Sequence, residues 1–426
     1  MTDVVVVGGG FAGISAAVRI AKMRHRVVLL EADDRLGGQL RPYEVDGWSF
    51  DRGWSELTLP ATLRDLFKKS GRPIDRVLEL TSLPVARRHV FDRGMVLDLP
   101  AGSRGAQTEA VDEVLGSGAG SRWTRWVDEF DPVWEVLRRA ALGGPLVGRA
   151  SFDREQWRTL RPRASLDRAV RRGLRNHHLR ALVLDRHRLD GQHPRSMPAF
   201  LGAYELVERS FGRWRIEGGT TALLEALERR LQERRVDVRL GVRAHDVVAG
   251  DVVTGVVTDN GTVPADVVVW AAPAGPGGRE ETDALPRVPS ARTYLGLGPY
   301  APVLAQQTVV HGTPVRIMPS ATHTGRGQSW TVEHSGAEDP VVTLHRVGID
   351  VGDHVERRED VGPGDAVRRH GARDGWQWSG WRTALTVPGV GTQPTGLLRV
   401  GVNAHPGPST ELVALGTAAA SETLRP

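Results

Sequence analysis

The chain has 426 residues, 40% of them hydrophobic and 25% charged, a length that exceeds one compact core and implies two or three domains. It contains no cysteine, which excludes disulfides, thiolate metal sites, cysteine nucleophiles and a cysteinyl-linked cofactor, so any redox chemistry falls to a bound cofactor. The net charge of +5 and pI near 10.0 do not call for nucleic acid, because lysine stands only at 22, 68 and 69 and the arginines interleave with Asp and Glu as on a solvated surface.

The chain opens directly into a β-type run without the layout of a signal peptide. No apolar stretch approaches the roughly 20 residues that span a bilayer, so the expectation is a cytoplasmic protein, with peripheral membrane contact left open. Val4, Val5, Val6 and Val7 predict a strand buried on both faces. Gly8-Gly9-Gly10-Phe11-Ala12-Gly13 follows at once, and Ile14, Ala17, Val18 and Ala21 then recur as one face of a helix. A second apolar strand, Val27 to Leu30, ends at Glu31. In this strand, turn and helix order Gly8 permits the tight turn, Gly10 lets amides approach a pyrophosphate, and Gly13 allows close packing. Glu31 is placed to accept from a ribose 2′-hydroxyl and would repel a 2′-phosphate. A second glycine run at Gly116, Gly118 and Gly120 has no strand before it and reads as a loop.

Downstream of Glu31 come Arg35-Leu-Gly37-Gly38-Gln39-Leu-Arg41 and then Asp51-Arg52-Gly53-Trp54. With the glycine loop, this resembles the extended FAD signature of the phytoene-desaturase and flavin amine-oxidase superfamily. The resemblance implies an α/β protein: a Rossmann-type, GR2-like FAD-binding domain with an interleaved α+β substrate domain. It implies cofactor contacts from Gly8, Gly10, Phe11, Ala12, Gly13, Glu31, Ala32, Arg35, Gly37, Gly38, Gln39, Arg41, Gly53 and Trp54. Two later blocks extend it. Trp214 to Gly219, the helix with Leu223, Leu227 and Leu231, and a hairpin turning at Asp259-Asn260-Gly261 look like the family's middle segment, which implies adenine-side contacts at Val242 and Ala244. Leu397 to Gly407 and the helical run after it look like the closing strand, turn and helix, implying contacts at Gly401, Asn403, Thr410 and Leu412. Asn403 stands where the family commonly has an acid, and Arg24 where it usually has the glycine that ends the first helix.

On this reading 1–75, 205–275 and 380–426 form the discontinuous FAD domain, and 76–204 with 276–379 the substrate domain. The stripe Trp123, Trp126, Val127, Phe130, Trp134 and Leu137 reads as core packing. Trp378 and Trp381 are candidate walls of a substrate cavity, with Gln307, where desaturase relatives often have His, and His405. Hydride transfer to a flavin requires positioning and water exclusion rather than an obligatory side chain, so no catalytic residue is named. Adjacent His177-His178 and His187 lack a metal-ligand spacing, and no metal is expected. Amine oxidases of this fold commonly place a lysine near the flavin, whereas every lysine here precedes residue 70. The expected activity is FAD-dependent removal of hydride from a small, largely apolar molecule by a desaturase, dehydrogenase or oxidase, with the electron acceptor open. A non-catalytic escort for prenyl groups, an amine oxidase and a protein holding NAD alone stay as alternatives.

Overall fold

The computed structural model describes residues 2–52, 55–144, 146, 148–278, 284–304, 307–321, 327–365, 375–389 and 393–425. The valine run forms β1, Asp3–Val7, at the centre of a five-stranded sheet. Its neighbours are β2, Arg26–Leu30, and Val267–Trp270, with Asp237–Arg239 and Leu397–Arg399 at the edges. Every pairing is parallel, with Val4 opposite Val27 on one side and Val267 on the other. Alternation along β1 supplies two cores. Val4 and Val6 pack with helix α1, Phe11–Lys22, and with Leu223 and Leu227. Val5 and Val7 pack beneath the antiparallel meander Ala244–Ala249, Val253–Thr258 and Gly261–Pro264. A strand apolar on both faces is what a sheet covered on both sides requires.

A seven-stranded sheet forms the second layer. It runs Val355–Val361, Ala291–Leu297, Gln328–His334, Val315–Pro319, Thr308–Val310, Val85–Val90 and Val96–Pro100, antiparallel except between Thr308–Val310 and Val85–Val90. Helices between 104 and 211 gather a separate core around Trp123, Trp126, Leu179 and Leu206. A small sheet joins the two parts: Arg213–Ile216 pairs with Glu56–Leu57 and with Leu80–Leu83. Asp51 joins them again, its carboxylate accepting from the Ala321 amide at 3.1 Å and its carbonyl from the Thr331 hydroxyl at 3.0 Å. Burial raises the Asp51 carboxyl above its ordinary range, against hydrogen bonds from Ala321, Ser55 and Thr220. Among the described residues no helix is long and apolar enough to cross a membrane.

The aromatic stripe divides where the helix breaks. Helix Ala119–Asp128 stops before Phe130, a new one starts at Asp131, and Leu137–Ala141 widens into a π turn. Trp123, Trp126, Val127 and Phe130 are buried in the core, as periodicity requires. Trp134 and Leu137, beyond the break, pack against the same core from partly buried positions and also line a cavity.

Candidate FAD and substrate site

One cavity of about 1020 Å³ runs from the glycine loop to the tryptophans near residue 380. It sits at the top of the about 300–1,000 Å³ typical of small-molecule pockets. Its first wall is the β1 to α1 turn. Gly8 has φ +102°, and a Cβ on Gly13 would lie 1.8 Å from the Gly8 carbonyl oxygen, so that position admits only glycine. Gly10 is different, because a Cβ there would meet nothing within 4 Å, and Gly10 lines the cavity. Helix α1 carries no side-chain cap at Gly10 and no acid in its first turn. Its leading amides and the positive end of its dipole therefore face the space a diphosphate would fill.

Glu31 closes this end. Its Oε2 accepts from the Gly9 amide at 2.5 Å and its Oε1 from the Asp33 amide at 2.9 Å. A carboxylate offers about four lone-pair sites, so capacity remains for a sugar hydroxyl. Gly37, at φ +115°, donates its amide to the Gly9 carbonyl at 2.8 Å and clamps the two glycine turns together. Phe11, Ala12, Ala32, Gly38, Gln39, Arg41, Val242 and Ala244 line the cavity, with Arg41 fixed on Asp33 at 2.7 Å. At the other end of the sheet Gly401, Thr410 and Leu412 line it, and Ser409 Oγ caps the closing helix Thr410–Glu422 by accepting from the Leu412 amide.

Three residues singled out in the sequence are placed elsewhere. The Arg35 side chain is 72% exposed beside Asp34 and is not on the cavity wall. Asn403 turns away and donates its Nδ2 to the Pro273 carbonyl at 2.9 Å. Gln307 lies buried where the seven-stranded sheet begins its Thr308 strand, its carbonyl accepting from the Arg88 amide. Gly53 and Trp54 lie outside the described residues.

The substrate end is aromatic. Trp378 and Trp381 line the cavity; Trp381 meets Trp157 edge-on at 4.9 Å, and Trp378 meets Phe200 at 6.0 Å. His405 also lines it, with Nε2 on the Ala141 carbonyl at 2.6 Å, and burial lowers its pKa.

Glu56, Arg186 and Arg213 give this chamber a polar wall that no motif signalled, backed by the buried Arg87, Glu205 and Glu208. Arg87 binds Glu205 and Glu208, Arg213 binds Glu208 at 2.6 Å and Glu56 at 3.1 Å, and Arg186 binds Glu205 at 3.2 Å. Burial acts to raise the Glu208 carboxyl, but Arg87 and Arg213 outweigh it and hold Glu208 below the ordinary carboxylate range. Burial wins at Glu56, which is raised. His187 is 5% exposed and lines the cavity, its pKa lowered to about 3 by burial and by Arg186. One signal was available: on helix His177–Leu189, Arg186 occupies the stripe of Leu179, Leu182 and Val183, where a buried residue was due.

A sequence profile described as flavin containing amine oxidoreductase matches residues 11–306. The chain belongs to this family. Its cofactor is FAD, and the open cradle at Gly10 under an uncapped helix leaves room for the diphosphate of such a dinucleotide. The chain is 28% identical over 284 residues to a 4,4'-diapolycopene oxygenase of Methylomonas sp, covering 62% of this chain and 54% of that protein. It is 32% identical over 276 residues to a hydroxyneurosporene desaturase of Cereibacter sphaeroides, covering 63% and 55%. The matched segments thus span about half the length of these relatives. An oxidoreductase from Methanosarcina mazei shares the fold, with a TM-score of 0.69 at 14% identity over 98% of this chain and 99% of that one.

Proposed function

We propose that this chain is an FAD-dependent oxidoreductase that removes hydride from an apolar polyene, as a desaturase or oxidase of carotenoid-like molecules. The carrying observation is that the tryptophan-lined chamber and the glycine-loop cradle belong to one cavity, so an apolar chain and a dinucleotide can meet inside it. FAD, when bound, supplies the two-electron acceptor for a substrate hydride. The chain's own residues bind and exclude water. Trp134, Trp157, Trp378 and Trp381 give the apolar surface that holds a long substrate, and Gly10 with Glu31 orients the nucleotide. The names of the two relatives above, a diapolycopene oxygenase and a hydroxyneurosporene desaturase, favour a polyene.

Oxidation of a cationic amine is disfavoured by the same wall. All three lysines are exposed and off the cavity wall, so none stands beside the cofactor as a lysine does in amine oxidases of this fold, and the wall's Glu56 and Glu333 are already paired with Arg213 and Arg292 rather than free to take an ammonium group.

The two-domain division belongs to the proposal. The strands of the five-stranded sheet all fall within 1–75, 205–275 and 380–426, and those of the seven-stranded sheet within 76–204 and 276–379. A substrate this apolar is delivered from a lipid surface or a carrier, so peripheral membrane contact at the cytoplasmic side is part of it too.

Incubating the FAD-loaded protein with acyclic polyenes in air tests the function. The expected product is lighter by two hydrogens, with its absorption moved to longer wavelength by the added double bond. Turnover of amines with no change in any polyene would overturn the assignment.

A further inference from the structure

The cavity's polar wall has unfilled hydrogen-bonding capacity of one kind. Its carboxylates are engaged: Glu56 with Arg213, Glu333 with Arg292 and Arg316, and Glu411 with the Thr58 amide at 2.7 Å. The Tyr204 hydroxyl is not. Tyr204 lines the cavity from the first turn of helix Ala203–Phe211, and its oxygen has no hydrogen-bond partner among the described residues. Nor is that oxygen sealed inside the protein, as the unpartnered His187 Nε2 and Arg213 Nε are. The Arg186 guanidinium lies over the ring at 5.5 Å and the His187 ring stands edge-on at 6.4 Å, fixing the phenol's direction.

Charge on this wall and in the buried network behind it is nearly balanced. Arg87, Arg186 and Arg213 are matched by Glu56, Glu205 and Glu208, and Arg287 donates to the Asp190 carbonyl beside a carboxyl held at about 2. The wall therefore offers a directed donor and no surplus positive charge at Tyr204, which suits a neutral acceptor oxygen better than a carboxylate.

We propose that Tyr204 is a specificity-determining residue, donating its hydrogen bond to a hydroxyl or carbonyl oxygen at one end of the apolar substrate. The preferred substrate is then an oxygenated polyene, not a pure hydrocarbon. This rests on the polyene reading above. Burial raises the Tyr204 pKa to about 12, so the phenol keeps its proton at every working pH. A hydrocarbon end would strip water from this donor and leave it unmatched, a penalty an oxygen at the same place removes.

The test holds the carbon skeleton constant and varies only the end group. Axerophthene, retinol, retinal and retinoic acid are titrated into the FAD-loaded protein, with binding followed by tryptophan quenching and by perturbation of the flavin band. Retinol and retinal should bind about tenfold or more tightly than axerophthene, and retinoic acid no more tightly than retinol. Tyr204→Phe should bring the ratio of retinol to axerophthene affinity close to one. Equal affinity of the wild-type protein for alcohol and hydrocarbon overturns the proposal without any variant, as does a Tyr204→Phe protein that keeps the full preference. Tightest binding of the acid overturns the choice of a neutral oxygen. Failure of all four to bind sinks the polyene reading itself, whereas binding without discrimination sinks only the role of Tyr204.

Discussion

Gly10 allows cofactor binding to be separated from folding by a single methyl group. At φ −80° and ψ −175° its backbone is open to any L residue, and a Cβ would project into space empty for 4 Å. Gly10→Ala should therefore cost the FAD-free protein at most about 1 kcal/mol, the scale of losing a favourable N-cap residue. On the proposed placement the methyl stands where the diphosphate approaches the amides of α1. Losing two charge-assisted hydrogen bonds of about 1.5–3 kcal/mol each lowers affinity by about 100-fold or more. Titrating FAD into apo-protein, with quenching of flavin fluorescence as the readout, measures that loss, and urea unfolding of the same samples measures the first term. FAD should add about 2.7 kcal/mol to wild-type stability at 100 times its Kd and almost nothing to the variant at the same concentration. Wild-type affinity in Gly10→Ala would refute the placement of the diphosphate. Gly13→Ala is the contrast, because its methyl would collide with the Gly8 carbonyl at 1.8 Å and should prevent the turn from forming at all.

Arg24 holds φ +69° at the end of α1, so Arg24→Gly should stabilise the protein by about 1 kcal/mol in thermal or urea unfolding. Glu208→Gln removes the shared partner of Arg87 and Arg213 and should cost about 3–5 kcal/mol by leaving buried guanidinium charge unmatched. Burial lowers the pKa of His89 and His187, so both are neutral in the native state while the unfolded chain takes up protons below about 6.5. Their stabilisation is complete above that pH and is lost as pH falls toward the folded values, by about 1.4 kcal/mol per unit for each histidine. Urea unfolding between pH 7 and 5 should show this slope, and His187→Leu should remove one histidine's share. Trp381→Ala should weaken polyene binding several-fold and leave the FAD content of the purified protein unchanged, because its ring faces Trp157 and not the glycine loop.

What could be read in the sequence was local. Val4 to Gly13 specifies strand, turn and helix through consecutive residues, and Glu31 follows from the length of one such unit, so the nucleotide end of the cavity was legible. Val242 and Ala244 followed from the resemblance alone and lie on the wall, the Val242 amide donating to the Glu31 carbonyl just before the strand Ala244–Ala249 begins. Arg35 and Asn403 were carried over the same way, but here Asp34 and the Pro273 carbonyl claim them. Trp134 packs against the core as its place in the stripe implied and lines the cavity as well, and Pro132 in the first turn of the next helix marks the break after Asp128. Apart from Arg186 in its apolar stripe, the polar wall was illegible for a different reason. Glu56, Arg186, Tyr204, Arg213 and Glu333 come from five separate elements, and only the joining of the two large sheets brings them to one cavity.

The central claim is that nucleotide and apolar substrate share one chamber. Mixing the FAD-loaded protein with a hydroxylated polyene under anaerobic conditions tests it most directly, because without an outside acceptor each chain can accept one hydride. The expected result is loss of the flavin's visible absorption in a single phase, matched by one equivalent of dehydrogenated polyene. A flavin band left intact by every polyene that demonstrably binds would contradict it.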